Sequence, residues 1–419
     1  MNILSITGTK GKTTVTRGIA FVLHSLGMRT LRVDTDGHYV NERRKSTLQD
    51  SRNLFNKAPT VCPGKFLITM KPYYPDFTAV LETALGSNGV HGLGYGSHSV
   101  GIFTNVFEDH LGIGRLKTRE DLAAAKSFIF RQIGEHGTAV FNADDPLVCE
   151  QLKALPADKG IRLLPVGFDF SSFDVERHIR EGGSLVTTKH DAVIIRTAET
   201  TTKVVDVRDI PWTFGGTFKP SLFNLMFIVA GLHAIGTDVS SRRIAGILRR
   251  YVPDREGGRL TLLRNDEGVT ILIDYAHEKR SLLAIAELGN SLKTNRLIGV
   301  VRLAPDRTDA MIRETGRDIA RSFDRLIVYD KIDGVTRGRF VGKNTSIVRE
   351  IGEVSALFEN GILENMPREN VERILVEERA IRRSSEKSGP GDVVVVICGD
   401  DHVKTLRWVK KYFKAKYAR

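Results

Sequence analysis

The sequence predicts an α/β protein of two domains, each folded around a mainly parallel sheet. Three observations carry that expectation. Short apolar runs alternate with amphipathic stretches over most of the 419 residues, the pattern of strands and helices in turn. The first run, Ile3 to Thr7, passes through a glycine-rich turn directly into a helix. A second series of strands and helices begins after Pro253-Asp-Arg-Glu-Gly-Gly258, a stretch of turn formers and charges. The expected domains are therefore residues 1–252 and 253–419.

Taken in order, the first domain has strands at Ile3 to Thr7, Thr30 to Asp34, Phe77 to Glu82, Val100 to Val106 and Thr138 to Asn142. Between the first two lies a helix with Val15, Ile19, Val22, Leu23 and Leu26 on one face, stopped by Gly27. Residues 155–215 or so are less regular, with β-rich fragments at Ser184 to Thr188 and Lys203 to Val207, and read as a small β excursion. Helical periodicity returns at Leu222 to Ile235 and Arg243 to Tyr251. In the second domain the strands fall at Thr270 to Asp274, Leu297 to Leu303, Arg325 to Tyr329 and Asp392 to Cys398.

An apolar share of 41% with 27% charged residues is that of a soluble globular chain. No apolar run approaches the length that spans a bilayer, and the amino terminus enters a strand without the regions of a signal peptide. Cys62, Cys149 and Cys398 are too few and too scattered for a disulfide framework or a thiolate zinc site. A cytoplasmic protein without a membrane partner is the expectation. The net charge of +12 favours an anionic partner. Much of the excess lies in the tail, where Lys404, Arg407, Lys410, Lys411, Lys414, Lys416 and Arg419 interleave with Leu406, Val409 and Phe413. That spacing describes a helix with one buried and one solvated face. No nucleic-acid motif accompanies the charge, and no nucleic-acid partner is expected.

Gly8-Thr9-Lys10-Gly11-Lys12-Thr13-Thr14 joins the first strand to the first helix. Glycines let the backbone approach a phosphate, the first amides of the helix point at it, and Lys12 brings a mobile positive charge. Thr13 is placed to put its hydroxyl on Mg²⁺. A generic phosphate loop would have its first glycine five residues before Gly11, where this chain has Ile6. The shorter G-T-x-G-K-T-T form is that of the Mur ligases, and further motifs continue the resemblance in order.

Glu82-Thr-Ala-Leu-Gly follows the third strand, and Thr104-Asn105-Val-Phe-Glu-Asp109-His110-Leu-Gly112 follows the fourth. Both lie where open α/β sheets bind ligands, at the carboxyl ends of parallel strands. The resemblance makes Glu82 and His110 Mg²⁺ ligands. Thr118-Arg-Glu-Asp121 starts a helix in capping-box style, and Lys126 on it matches the lysine that Mur ligases carbamylate. Its carbamate would hold the second of two Mg²⁺ ions. Asn142-Ala-Asp144-Asp145 also matches the family and receives no catalytic role. Asn224 aligns with the asparagine that contacts adenine. Arg255 matches the arginine that reaches the nucleotide phosphates, and Asp274-Tyr-Ala-His277 is a family signature with the aspartate near the ribose. His277 orients substrate or assists proton transfer, and the residues do not choose between these.

The chain departs from the pattern in places. Glu278-Lys279 replaces the usual Asn-Pro, and Pro305 replaces glycine in Ala304-Pro-Asp306-Arg307-Thr-Asp309. Leu85-Gly86-Ser87 stands where Arg-Gly-Gly follows the glutamate. Within the family the chain resembles most the Mur-ligase-like part of cyanophycin synthetases, through Thr35-Asp-Gly-His-Tyr39, Asp109-His-Leu-Gly-Ile-Gly114 and the region from Phe323 to Arg339.

The resemblance implies a P-loop-containing central Mur ligase domain followed by a Rossmann-like C-terminal domain. It implies an ATP-dependent ligase that joins an amino acid to a peptide or polymer carboxylate. Lys12, Lys126, Arg255 and His277 are the expected catalytic residues. A murein-type or folylpolyglutamate-type ligase and a non-catalytic ATP-binding subunit are the competing readings. A separately encoded ATP-grasp ligase is an expected partner, and a homo-oligomer is compatible with the sequence.

Overall fold

Polar residues at the ends of apolar strands shape the first unit of the chain. The computed structural model describes residues 1–47, 63–84, 95–107, 116–253, 260–276, 278–331, 339–341, 347–399 and 401–417. Two compact units divide after Pro253.

The strands of the first unit are β1 (Ile3–Thr7), β2 (Thr30–Asp34), β3 (Gly37–Val40), β4 (Arg43–Thr47), β5 (Thr78–Glu82), β6 (His98–Phe103), β7 (Ile133–Asn142), β8 (Arg162–Val166), β9 (Leu185–Lys189), β10 (Ala192–Arg196) and β11 (Thr201–Asp206). They form one sheet in the order β11-β10-β9-β8-β7-β6-β1-β5-β2-β3-β4. From β9 to β2 the neighbours run parallel, and antiparallel pairs close both ends. The β-rich stretch after residue 155 is therefore no appendage: β8 to β11 continue the same sheet, because β8 pairs with β7 along its whole length.

Four helices bear on the site: α1 (Lys12–Ser25), α2 (Arg119–Lys126), α3 (Lys219–Ala234) and α4 (Arg242–Arg250). Val15, Ile19, Val22 and Leu23 of α1 are fully buried in one core with Leu4, Ile6, Ile102 and Ile228. Gly27, at φ 92°, ends that helix as read from the sequence. Strand β6 stops at Phe103, short of the expected Val106. Thr104 and Asn105 are drawn out of the ladder by hydrogen bonds to the glycine-rich loop.

The second unit holds β12 (Thr261–Arg264), β13 (Thr270–Asp274), β14 (Leu297–Val301), β15 (Arg325–Val328), β16 (Arg339–Val341), β17 (Val348–Glu350), β18 (Val371–Arg373), β19 (Val393–Ile397) and β20 (Lys416–Tyr417). Its main sheet has the order β18-β15-β14-β19-β13-β12-β20. The five strands from β18 to β13 are parallel, and β12 and β20 add antiparallel pairs. Its helices include α5 (Lys279–Leu292), α6 (Asp309–Ala320), α7 (Glu353–Ile362), α8 (Glu377–Lys387) and α9 (His402–Phe413). On α9 Leu406, Val409 and Phe413 are buried while Lys404, Arg407, Lys410 and Lys411 are exposed, the two faces read from the sequence. No helix among the described residues is long and apolar enough to cross a membrane.

Helices α6 and α7 meet backbone to backbone. A methyl group on Gly361 would lie 2.1 Å from the Arg313 carbonyl oxygen, a rigid main-chain atom. Gly361→Ala is expected to destabilise the second unit by about 1–3 kcal/mol through overpacking. The two tryptophans, Trp212 and Trp408, lie one in each unit. Denaturation followed through Trp408 in a Trp212→Phe background should show a lower midpoint, and an unchanged midpoint would contradict the contact.

Candidate active site

The amino end of α1 is the centre of the site in the first unit. Gly11 stands at its cap in the left-handed region, φ 85°, and no side chain caps the amides of the first turn. Some other helices are capped, as Thr118 accepts from Asp121 N, Thr308 from Met311 N and Asp401 from Lys404 N. Helices α3, α7 and α8 also start without a side-chain cap, and what sets α1 apart is the glycine loop and Lys12 in front of it. An uncapped first turn leaves donors for a ligand, and the dipole favours an anion there.

The loop before α1 is clamped from β6. Thr9 N donates to Asn105 O at 2.9 Å, and Lys10 N donates to Asn105 Oδ1 at 2.8 Å. In return Thr104 Oγ1 and Asn105 Nδ2 donate to Lys10 O at 2.7 and 3.2 Å. Phe107 N donates to Thr9 Oγ1 at 3.0 Å. Gly8 and Gly11 permit the approach. A methyl on Gly8 would fall 2.0 Å from Thr104 Oγ1, and one on Gly11 would fall 2.3 Å from Asn224 Oδ1. Asn224, on α3, thus packs against the loop itself. Lys12 Nζ donates to Thr9 O at 2.9 Å, and Tyr251 Oη donates to Thr14 O at 2.8 Å.

A buried carboxylate adjoins this loop. Glu82, at the end of β5, is only 2% exposed. Thr35 N donates to its Oε2 at 3.1 Å, and Thr35 Oγ1 lies 3.1 and 3.2 Å from its two oxygens. The Thr13 and Thr35 hydroxyls lie 3.4 Å apart. Thr35 therefore links the expected metal-binding hydroxyl to the expected metal-binding carboxylate, a role that sequence reasoning missed. A polar residue just past a parallel strand was the available signal. Asp34, fully buried, pairs with Arg17 of α1 at 2.9 Å and with Arg32, which fixes the end of β2 against the helix.

Lys126 is 2% exposed at the end of α2. Its helix starts with the expected capping box, and Arg119 Nη2 donates to Val106 O at 2.7 Å. The Asn142-x-Asp-Asp turn is structural: Asn142 Nδ2 donates to Thr104 O at 2.9 Å, and Asp145 Oδ2 accepts from Val106 N at 2.8 Å. Burial first, then Asp145 and Asp144, push the Cys149 thiol up to about 12, so it is no nucleophile at neutral pH. His110, Arg255 and His277 lie outside the described residues, as do Asp109 and Leu85-Gly86-Ser87. Among the described residues no three His, Cys, Asp or Glu gather as a metal cluster. The chemistry of the donors present still fits Mg²⁺, a hard cation that takes few protein oxygens and keeps several waters.

In the second unit the strand ends are tied together by Arg302. This fully buried side chain donates from Nε and Nη2 to Cys398 O at 3.1 and 2.6 Å. Its guanidinium lies 4.8 Å from the centroid of the Tyr275 ring. Asp274 O accepts from Cys398 N at 2.9 Å, and Asp274 Oδ2 accepts from Leu260 N at 2.8 Å. Sequence reasoning also missed Arg302, although one cation inside the apolar run Leu297 to Leu303 marks it.

Comparison with known proteins decides the family. Residues 6–198 match the sequence profile of the Mur ligase middle domain, and residues 258–399 match that of the Mur ligase glutamate ligase domain. The chain belongs to the Mur ligase family. It is 32% identical to cyanophycin synthetase of Trichormus variabilis, over 97% of this chain and 42% of that protein. It is 26% identical to UDP-N-acetylmuramoyl-L-alanyl-D-glutamate–2,6-diaminopimelate ligase of Geobacter metallireducens, over 96% of this chain and 73% of that protein. The chain thus spans about two-fifths of the length of the cyanophycin synthetases it matches. In fold it is similar to bifunctional folylpolyglutamate synthase/dihydrofolate synthase of Yersinia pestis, solved with AMPPNP and a manganese ion. That likeness has a TM-score of 0.65 at 16% identity, covering 96% of this chain and 87% of the other.

Two departures of this Mur ligase chain have local physical explanations. Glu278 is the N-cap of α5, accepting from Ser281 N at 2.7 Å and Arg280 N at 2.8 Å, so it does the capping work that an asparagine would do. Lys279 instead pairs with Glu314 at 2.6 Å and Asp318 at 3.2 Å. Pro305 is buried in a turn whose next carbonyl but one, Arg307 O, accepts from Arg349 Nη2 at 2.9 Å. Thr35→Val should raise the Mg²⁺ concentration needed for nucleotide binding about 10- to 100-fold, the usual cost of removing a residue that orients a metal ligand. Titration with a fluorescent ATP analogue at varied Mg²⁺ measures this, and an unchanged Mg²⁺ midpoint would show that Thr35 does not orient Glu82 for a metal.

Proposed function

We propose that the chain is an ATP-dependent amide ligase that joins an amino acid to a peptide or polymer carboxylate through an acyl phosphate. The observation that carries this is the uncapped first turn of α1, which offers its amides beside Lys12 in a glycine loop of Mur ligase form.

In this reading the acceptor carboxylate attacks the γ-phosphoryl group of ATP, forming an acyl phosphate and releasing ADP. The amine of the amino acid then attacks the acyl carbon. Phosphate leaves, the amine gives up a proton, and an amide or isopeptide bond remains. Gly8 to Thr14 cradle the phosphates, and Lys12 and Arg255 offset the charge that develops on them. Asn224 and Asp274 hold the nucleoside. His277 orients the amino acid or takes its proton. Thr13, Glu82, His110 and a carbamylated Lys126 would hold two Mg²⁺ ions, which neutralise phosphate oxygens when bound. Burial supports the carbamate. Lys126 is 2% exposed at the end of α2 rather than solvated, and a neutral lysine amine is the form that reacts with CO₂.

Phosphate release dependent on ATP, measured across a panel of amino acids and acidic peptides with mass spectrometry of products, tests the whole reading. The expected result is a product heavier by one amino-acid residue. ATP binding without turnover on any pair would favour a non-catalytic subunit. Lys12→Ala should lower turnover by about 100-fold or more, and near wild-type activity would remove the site assignment. For Lys126→Ala a comparable loss is expected, with partial rescue by short carboxylates. Full activity without rescue would count against the carbamate.

A further inference from the structure

A second cavity in the first unit lies away from the phosphate loop. It has a volume of about 490 Å³ and is lined by His24, Val40, Asn41, Arg43, Lys45 and Tyr74. Three of the six are basic side chains and none is acidic. Val40 and Tyr74 give it an apolar wall. Neighbouring arginines are neutralised: Arg32 pairs with Asp34 and Glu42, and Arg17 with Asp34 and Asp36. Arg43 and Lys45 are exposed and have no ion-pair partner among the described residues.

The backbone aims these cations. Strand β4 ends the sheet order beside β3, and its register slips between His38 and Tyr39. Ser46 faces His38 and Arg44 faces Tyr39, so Lys45 is the extra residue of a bulge. Bulges re-aim side chains, and this one sets Lys45 beside Arg43 on the cavity. Arg44 turns away and donates to Tyr39 Oη at 3.1 and 2.9 Å. The strand also has a direction. Arg43 pairs with Val40 at the far end, while Thr47 pairs with Gly37, two residues from the Thr35 that holds Glu82. From the cavity to the catalytic end of the sheet is thus about four extended residues, roughly 13 Å.

We propose that this cavity is a docking site for the acidic side chains of a peptide acceptor, whose reacting carboxylate lies several residues further along the β4 edge. The occupant follows from charge complementarity: two unpaired cations with a histidine and an amide recognise carboxylates, and the tyrosine wall packs the chain between them. This rests on the ligase reading above and adds the acceptor's charge and its required length.

The test has a binding arm and a turnover arm. Labelled oligoglutamates of increasing length are titrated by fluorescence anisotropy, without ATP, into the wild type and into Arg43→Ala/Lys45→Ala. The double variant should bind about five- to tenfold more weakly at low salt, with the difference shrinking as salt rises. Retained binding of an ATP analogue shows that the variant is folded. In turnover, KM should fall with acceptor length in the wild type and stay flat in the variant, with kcat on the shortest acceptor unchanged. Equal peptide affinity in both proteins overturns the proposal. So does an RNA oligomer that binds more tightly than the peptide and loses its affinity in the same variant. Peptide binding that depends on Arg43 and Lys45, with no turnover of any acceptor, would leave this site standing and remove the ligase reading instead.

Discussion

The site in the first unit depends on how the loop Gly8 to Gly11 is held from β6 while no side chain caps the first turn of α1. A loop left to itself would satisfy that turn's donors internally or with a capping side chain. Here the fixing comes from behind and from the side. Asn105 and Thr104 take up the amide and carbonyl of Lys10, and Tyr251 takes the carbonyl of Thr14. The clamp itself is anchored, because Asn142 holds the Thr104 carbonyl and Asp145 holds the Val106 amide. A chain of side-chain to backbone bonds thus runs from the end of β7, through the end of β6, to the loop after β1.

The same logic governs the buried charges. Glu82 and Asp34 end adjacent strands, and each would be costly inside the protein without donors. Asp34 is neutralised by two arginines, whereas among the described residues Glu82 receives the amide and hydroxyl of Thr35. The difference separates structure from chemistry. A carboxylate that already has its cations holds the fold, and one supplied with neutral donors keeps affinity for a cation from outside. In the second unit Arg302 plays the holding role, binding a carbonyl and an aromatic face where β13, β14 and β19 end.

Much of this was legible in the sequence. The parallel strands of both units appear as apolar runs, since strands buried on both faces need no polar alternation. Gly27 and the two faces of α9 were readable from spacing. The phosphate loop could be read because its glycines, lysine and threonine are contiguous. What escaped depends on distant partners. Thr35 is one polar residue after a strand until Thr13 and Glu82 converge on it, and the early end of β6 exists only because Asn105 bonds to a residue 95 positions away. The stretch after residue 155 read as an excursion because its strands are short, although β8 completes a ladder with β7. Glu278 read as a departure from a motif, yet in space it is an ordinary helix cap.

The bare start of α1 also bears on how the protein survives between uses. A helix end without a cap is where fraying begins, and this helix buries Val15, Ile19, Val22 and Leu23 in the first unit's core. In the ligase reading a bound polyphosphate would supply the contacts that a serine or aspartate gives elsewhere, and the ligand would complete the helix as well as occupy it. Binding and folding are then thermodynamically linked. Under the ligase reading, nucleotide would stabilise the folded chain as well as serve turnover, and the ligand-free chain would be the form more open to proteases.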